Sequence, residues 1–160
     1  MKKEEKTNVM RVLEQKKIPY ESHSYTPDAT LTGEEIAGIL GENPNHVFKT
    51  LVTRGKTGQY YVFVVPVAED LDLKKAAKAS GEKSIEMIKQ KELLPLTGYV
   101  HGGCSPIGMK KAFATFIHES AADLPRMYVS AGKVGFQVGV DPKGLAALVR
   151  FTWADLTADG

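Results

Sequence analysis

The sequence predicts an α+β domain built around a mixed, barrel-like β-sheet with flanking helices. Two observations favour this class: the predicted strands and helices do not alternate strictly, and two pairs of strands have the pattern of hairpins. A third observation is the length, because 160 residues suffice for one domain with a substantial core. We therefore expect residues 1–160 to form a single domain, and we expect no doubly wound α/β fold.

The first predicted elements are a helix, a short extended segment and a second helix. Apolar residues recur at helical spacing within residues 5–17, which predicts an amphipathic helix. Residues 18–25 then favour an extended segment. Thr32 and Glu35 have the spacing of a capping box, so they predict a helix start, and Gly41 is placed to end that helix.

The middle of the chain predicts a β-hairpin followed by another helix. Residues 47–53 and 60–67 are apolar and β-branched, and residues 54–58 between them have the composition of a turn. Asp72 is a typical N-cap for a helix over residues 73–79.

The last third of the chain predicts three strands and a closing helix. Residues 92–96 indicate one helical turn. Alternation of apolar and polar side chains predicts strands at residues 114–118, 126–130 and 136–140. Pro142 is suited to the first turn of a final helix.

The composition indicates an ordinary soluble globular protein and excludes several functions. The net charge is only +2, so bulk charge supplies no strong field for nucleic acid, although a local basic face would still do so. One cysteine excludes an internal disulfide and any multi-cysteine zinc or iron–sulfur site. Neither a membrane-spanning apolar run nor the apolar core of a signal peptide is present in the sequence, so we expect a cytoplasmic protein with no membrane partner.

The most informative segment is Gly-Gly-Cys-Ser-Pro-Ile-Gly at residues 102–108. Glycine lets a backbone turn through positive φ and approach a ligand closely, so such a loop can aim N–H groups at one oxygen. The separation of Gly103 and Gly108 is that of a phosphate-binding P-loop. Met109 stands where that motif has its lysine, and no clear strand precedes the loop, so we reject an NTPase.

The two nucleophilic side chains of this segment lack the context of a hydrolase. Ser105 is followed by Pro106, and the next glycine comes one residue too late for a Gly-x-Ser-x-Gly elbow. Cys104 has His101 and His118 as candidate partners for a thiolate–imidazole pair. An inert, half-buried cysteine is the favoured interpretation.

Three further residues are candidates for ligand binding, each with a plain alternative. Lys49 interrupts an apolar strand, which predicts either a side chain that snorkels to water or an ammonium that meets an anionic ligand. Ser130 ends a strand at a glycine turn, where it either binds a ligand or only shapes the turn. Tyr20 is suited equally to stacking on a base or to packing.

Three motifs of the chain resemble those of the YbaK/EbsC family in order and spacing. They are Val-Phe-Lys-Thr-Leu at residues 47–51, the glycine segment 102–108 with Lys110–Lys111, and Ser-Ala-Gly at residues 130–132 with Gly135. The resemblance extends from about residue 8 to residue 148, and it is strongest to the YbaK-type deacylases that act on Cys-tRNA(Pro).

The resemblance implies the fold of the editing domain of bacterial prolyl-tRNA synthetases and hydrolysis of the ester that joins a wrong amino acid to tRNA. By residue matching, Lys49 is the functional lysine of the family, near the 3′ end of the tRNA. The positions that match the substrate-pocket loop and pocket lining are Gly102, Gly103, Ser105, Pro106 and Gly108, with Tyr20 and Ser130 beside them.

The resemblance further implies a substrate-assisted reaction without metal or cofactor. The loop around Gly102 and Gly103 is the candidate for stabilising the carbonyl oxyanion, and the thiol of the bound cysteine attacks its own ester. Expected partners are mischarged tRNA(Pro) and prolyl-tRNA synthetase in a ternary complex. The alternatives are an Ala-tRNA(Pro) deacylase of the same family and a non-catalytic module that binds tRNA or synthetase.

Overall fold

The structure, a computed structural model, describes residues 6–158, in which eight strands form two β-sheets and five α-helices pack around them. In chain order the elements are α1 (Asn8–Gln15), β1 (Tyr20–Ser24), α2 (Gly33–Leu40), β2 (Phe48–Gly55), β3 (Tyr60–Pro66), α3 (Leu73–Ser80), β4 (Ile85–Met87), α4 (Gln90–Thr97), β5 (Ala114–His118), β6 (Met127–Ser130), β7 (Phe136–Val140), α5 (Pro142–Ala146) and β8 (Phe151–Ala154).

The two sheets confirm the predicted mixed α+β class. One sheet has three antiparallel strands in the order β1-β7-β6, and the other has five strands in the order β4-β2-β3-β5-β8. Strands β3 and β5 pair in parallel, as do β5 and β8, whereas β2 pairs antiparallel with both β3 and β4. Both predicted hairpins, β2–β3 and β6–β7, are present.

An isolated bridge joins the two sheets. Within the described residues the sheets therefore form a barrel-like arrangement that is not closed into one barrel. Val47 and Tyr128 form an isolated parallel bridge, and the Tyr128 N–H donates to the His46 carbonyl over 2.9 Å. The beginning of β2 is therefore held beside β6. This contact places the lysine motif of β2 against the strand that ends at Ser130.

The sequence of strand β3 is apolar throughout because both faces of the strand are buried. Val62 and Val64 belong to the main core, which also contains the inner side chains of α1, β6 and β7. Phe63 and Val65 face a second core against α3. Strand β3 thus lies between two cores, and its neighbour β2 carries Lys49.

Local sequence signals fix the helix ends as expected. Thr32 and Glu35 form the complete capping box of α2, and Gly41 ends that helix in the left-handed conformation with φ of +67°. Asp72 accepts hydrogen bonds from two backbone N–H groups at the start of α3. The helix predicted from residue 5 is observed from Asn8, and residue 5 lies outside the described residues.

None of the helices within residues 6–158 is both long and apolar enough to cross a bilayer. The assignment of all 160 residues to one domain stays a prediction, because residues 1–5 and 159–160 lie outside the described part.

Candidate active site

A cavity of about 570 Å³ opens between the two sheets and is bordered by α2 and by the glycine segment. The start of β2, the end of β6 and the start of β7 form its walls, and the loop before α2 forms its rim. Of the residues predicted from sequence, the fold brings Lys49, Gly102 and Ser130 together here, with Cys104 beside them.

Lys49 contributes the positive charge of the cavity wall. It pairs with Val65 across the β2–β3 ladder, and about one third of its side chain remains exposed. Its Nζ lies 3.8 Å from Asp70 Oδ1, and the Asp70 side chain is fully exposed. Solvent screens this ion pair because its separation is long and the Asp70 side chain is exposed. The Lys49 ammonium therefore remains available to an anionic ligand.

The glycine segment enters the cavity as a tight turn. The Gly103 N–H donates to the Val100 carbonyl over 3.0 Å, and Gly102 has φ of +87°, a region that favours glycine. A Cβ on Gly102 would lie 3.3 Å from Val134 Cγ2, so the turn packs closely against the loop between β6 and β7. The backbone of Gly102 is held at the cavity wall by both constraints.

The hydrogen bond of the Gly103 amide differs from the sequence-based expectation. We expected the loop around Gly102 and Gly103 to aim N–H groups at a ligand, but the Gly103 N–H closes the turn onto Val100. Gly103 is buried, does not line the cavity, and packs beside the backbone of Lys133 and Val134. Of the glycines in this segment, Gly102 is the one that lines the cavity.

Ser130 lies where β6 ends at the cavity. Its Oγ accepts a hydrogen bond from the Gly132 N–H over 3.2 Å, and Gly132 has φ of +90°. The serine therefore shapes the turn, and it also lines the cavity opposite β2. Both roles that the sequence left open are compatible with this geometry.

Four other predicted residues do not line this cavity. The Tyr20 hydroxyl donates to Glu14 Oε2 over 3.0 Å, and the tyrosine of the cavity is Tyr25. Ser105 is fully buried, and its Oγ accepts from the Ile107 N–H. Pro106 and Gly108 line a different groove of about 520 Å³. After Cys104 the loop turns inward, which buries Ser105 and Pro106 and directs them away from the cavity.

Cys104 is in the cavity wall, but its surroundings make it a poor nucleophile. Burial raises the pKa of its thiol to about 12, and the Thr97 side chain offsets this only in part. The thiol is therefore protonated at neutral pH, whereas the thiolate is the reactive form. His118 is engaged elsewhere, because its Nδ1 accepts the Leu156 N–H over 3.1 Å.

The sequence analysis missed two polar residues that line the cavity, Thr50 and Gln137. Thr50 Oγ1 and Gln137 Oε1 are buried and have no hydrogen-bond partner among residues 6–158. Buried polar atoms are nearly always paired, so these two are suited to meeting a polar ligand. Gln137 had a detectable signal, since it interrupts the apolar strand β7, whereas Thr50 is an ordinary strand residue.

No three His, Cys, Asp or Glu side chains come together as a metal-ligand set within the described residues. The chemistry that the cavity itself offers is therefore a cation, a constrained backbone turn and unpaired hydrogen-bonding groups. Such a cavity accommodates a polar ligand with an anionic part.

Comparison with known proteins identifies the class to which this fold and cavity belong. The family model of the aminoacyl-tRNA editing domain matches residues 26–148, which include every residue that lines the cavity except Tyr25. The chain belongs to the aminoacyl-tRNA editing domain family.

Within that family, the chain is similar over nearly its whole length to a protein of Enterococcus faecalis strain ATCC 700802 / V583. The two are 44% identical over 157 residues, which cover 98% of this chain and 96% of the relative. The relative is provisionally named Cys-tRNA(Pro)/Cys-tRNA(Cys) deacylase EbsC.

Solved structures support the fold. A crystal structure described as a candidate trans-editing enzyme for prolyl-tRNA synthetase is 28% identical, with a TM-score of 0.78 over 93% of this chain and 96% of that one. A protein described only as hypothetical is 20% identical and has a TM-score of 0.81 over 93% and 98% of the two chains. The second likeness concerns the fold alone.

Proposed function

We propose that the protein is a trans-acting editing deacylase that releases cysteine from mischarged Cys-tRNA(Pro). The observation that carries the proposal is a cavity with binding groups but without an activated nucleophile among the described residues. The Cys104 thiol is protonated, Ser105 is buried away from the cavity, and the Ser130 Oγ accepts from a backbone amide. The attacking atom then has to come from the substrate or from water.

Cysteine supplies such an atom. The thiol sulfur attacks the ester carbonyl of the same cysteinyl group, so a C–S bond forms and the bond to the ribose oxygen breaks. The thiol proton is transferred to the ribose oxygen, and the products are a cyclic thiolactone and uncharged tRNA. An aminoacyl ester is already activated, so placing the two reacting groups together provides much of the acceleration.

The cavity residues have distinct roles in this reaction. The Lys49 ammonium holds the terminal phosphate or ribose by a charge-assisted contact. The Gly102 turn presents its backbone to the carbonyl oxyanion, the role that preorganised amides fill in other acyl-transfer enzymes. Ser130, Thr50 and Gln137 surround the amino-acid end.

The family and the relatives support the choice of substrate. The E. faecalis relative is named for Cys-tRNA(Pro) and Cys-tRNA(Cys), and the structural relative is named for prolyl-tRNA synthetase. We infer that tRNA(Pro) is the carrier and that prolyl-tRNA synthetase assists in a ternary complex. A net charge of +2 gives the protein little affinity of its own for tRNA phosphates, which makes such assistance useful.

The proposal is tested by incubating the protein with tRNA(Pro) charged with cysteine, serine or alanine and following loss of the ester. We expect rapid loss of the cysteinyl ester and sharply slower loss of the seryl ester, because a hydroxyl is a weaker nucleophile than a thiol. Equal loss of all three esters would overturn the substrate-assisted route. Preferential loss of the alanyl ester would instead indicate an Ala-tRNA(Pro) deacylase.

A pair of lysine variants ties the activity to the cavity. Lys49→Ala is expected to lower kcat/KM for the cysteinyl ester by about 10²-fold, because the 3′ end loses its positioning contact. Lys56→Ala is the matched control, since Lys56 is an exposed lysine in the β2–β3 turn. If the folded Lys49→Ala variant matches Lys56→Ala in activity, Lys49 has no role in the reaction.

A further inference from the structure

The edge of the five-stranded sheet that lies away from β2 carries a surface that the proposed reaction does not use. Strand β8 is the last strand at this edge, and among the described residues it pairs only with β5. Three strand spacings of about 4.8 Å each separate β8 from β2, which carries Lys49. A molecule bound at β8 therefore does not cover the cavity wall that Lys49 forms.

Two grooves flank the beginning of β8. One is the groove of about 520 Å³ that Pro106 and Gly108 line, and the other has a volume of about 480 Å³. Residues 148–151 line both grooves, so the beginning of β8 forms the ridge between them. We call residues 148–153 together with these two grooves the β8 surface.

Aromatic side chains make much of the β8 surface apolar. Phe113, Phe116 and Phe151 line the larger groove, and Trp153 lines the smaller one. The Trp153 ring packs edge-on against Phe151, with the ring centroids 4.8 Å apart, and 37% of the residue is still exposed. Aromatic residues are enriched at protein–protein interfaces, so these rings favour a protein partner.

The charged side chains of the β8 surface are cations. Lys111 and Arg150 are exposed at the larger groove, and none of the described residues that line either groove is Asp or Glu. Neither cation forms an ion pair within residues 6–158. The surface is therefore complementary in charge to a partner that brings carboxylates.

The backbone of β8 offers hydrogen-bonding groups on its outer side. Residues 151–154 pair in parallel with residues 115–118 on the inner side, and no backbone hydrogen bond joins the outer side to another described residue. An exposed strand edge can accept an extended segment of another protein as an added strand. A polynucleotide has no peptide N–H groups with which to form such a ladder, so the free edge also favours a protein partner.

We propose that the β8 surface is the docking site for prolyl-tRNA synthetase, which adds an extended segment containing Asp or Glu to the edge of β8. The carboxylates of this segment meet Lys111 and Arg150, and its apolar side chains fill the grooves beside Phe151 and Trp153. The inference rests on the proposed function and assigns a surface to the partner proposed there. Docking at this edge leaves the cavity wall at Lys49 free to receive the 3′ end of a tRNA that the synthetase holds.

The test measures binding of the fluorescently labelled protein to purified prolyl-tRNA synthetase, with and without tRNA(Pro). Arg150→Glu is expected to weaken this binding by about tenfold or more, because attraction between a cation and a carboxylate becomes repulsion. Lys83→Glu is the matched control, since Lys83 is an exposed lysine that lines neither groove. It is expected to bind the synthetase as the wild type does.

Two further variants address the other parts of the surface. Lys111→Glu is expected to weaken binding as Arg150→Glu does, and it serves also if Arg150→Glu fails to fold. Trp153→Ser is expected to weaken binding by about tenfold, since aromatic residues often supply much of the binding energy of an interface. All three variants are expected to retain the wild-type rate of ester loss when the protein acts alone, because none of these side chains lines the cavity.

The outcomes distinguish this inference from the proposed function. Unchanged binding of the synthetase by folded Arg150→Glu and Lys111→Glu, or no binding by the wild type, would overturn the docking site. Weaker binding of tRNA(Pro) alone with unchanged binding of the synthetase would also overturn it, since the surface would then contact RNA. Ester loss from Cys-tRNA(Pro) by the protein alone tests the reaction separately, so failure of either proposal leaves the other measurable.

Discussion

Burial controls the reactivity of the thiol in the cavity wall. Cys104 stands between two glycines and a serine in the sequence, a position that suggests chemistry. Among residues 6–158, two influences act on the pKa of its thiol: desolvation raises the pKa to about 12, and the Thr97 side chain lowers it in part. The same desolvation raises the pKa of the neighbouring Tyr99 to about 12. This part of the loop is therefore uncharged at neutral pH and supports the cavity by packing.

The first prediction concerns this thiol. Cys104→Ala is expected to retain kcat for the cysteinyl ester within about twofold, because a protonated, buried thiol is inert. Its pH–rate profile is expected to match that of the wild type and to rise toward the pKa of the substrate thiol, about 8.5. Steady-state deacylation from pH 6 to 9 measures both properties. A folded variant without activity would identify Cys104 as a protein nucleophile.

At the level of single residues, the sequence reveals the functional candidates that interrupt a local pattern, such as a polar side chain within an apolar strand. Lys49 was detectable because a charged side chain interrupts an apolar strand, and Gln137 breaks β7 in the same way. Tyr20 and Tyr25 could not be distinguished, since the choice depends on which part of the chain borders the rim. The engagement of the Gly103 amide could not be predicted, because it requires knowing that Val100 begins the turn.

At the level of elements, the cavity depends on two loops that pack against each other. The turn at residues 100–103 contacts the loop at residues 131–135, where a Cβ on Gly103 would lie 3.2 Å from the Val134 backbone nitrogen. The Tyr99 hydroxyl donates to the Ile107 carbonyl over 2.5 Å and fixes the continuation of the glycine segment. The loops are thus preorganised before a substrate arrives.

The second prediction tests this preorganisation. Gly102→Ala introduces a side chain at φ of +87° and within 3.3 Å of Val134 Cγ2. We expect a loss of about 1–2 kcal/mol in unfolding free energy from the left-handed backbone. We expect kcat to fall by about 10²-fold, because the turn that we propose to face the oxyanion is displaced. Chemical denaturation and single-turnover deacylation measure the two effects.

The control for Gly102→Ala is Gly58→Ala in the β2–β3 turn. Gly58 has a similar φ of +92°, but a Cβ there would meet no atom within 4 Å, and the turn does not border the cavity. It is expected to lose similar stability without losing kcat. If both variants lower kcat equally, the effect at Gly102 comes from stability alone and the turn has no special role.

Elements with local signals were predicted, and elements that depend on distant partners were missed. The hairpins, the capping box of α2 and the glycine that ends it are encoded within a few residues. Strand β8 forms by parallel pairing with β5, which is more than thirty residues earlier in the chain. Strand β4 has only three residues and is a strand because β2 offers an edge. Their pairing partners are set by the tertiary fold.

At the scale of the whole molecule, the net charge of +2 predicts weak binding to the tRNA body. The chain has 21 Lys and Arg against 19 Asp and Glu, and several of the cations are paired, including Arg54 with Glu86 and Lys75 with Asp155. Affinity for nucleic acid grows with the number of phosphates that a protein neutralises. The cavity is therefore better suited to the aminoacyl end than the surface is to the tRNA body.

The last prediction follows from the small net charge and concerns the proposed synthetase partner. For the protein alone, we expect kcat/KM on Cys-tRNA(Pro) to fall by less than about 10²-fold between about 50 and about 200 mM salt, since few phosphates are contacted. Adding prolyl-tRNA synthetase is expected to lower KM by about tenfold or more without raising kcat, because a tRNA held by the synthetase is presented at high effective concentration. A synthetase for another amino acid is the control and is expected to have no effect. If prolyl-tRNA synthetase changes neither constant while the protein alone shows a steep dependence on salt, the protein selects tRNA by its own surface and the ternary complex is unnecessary.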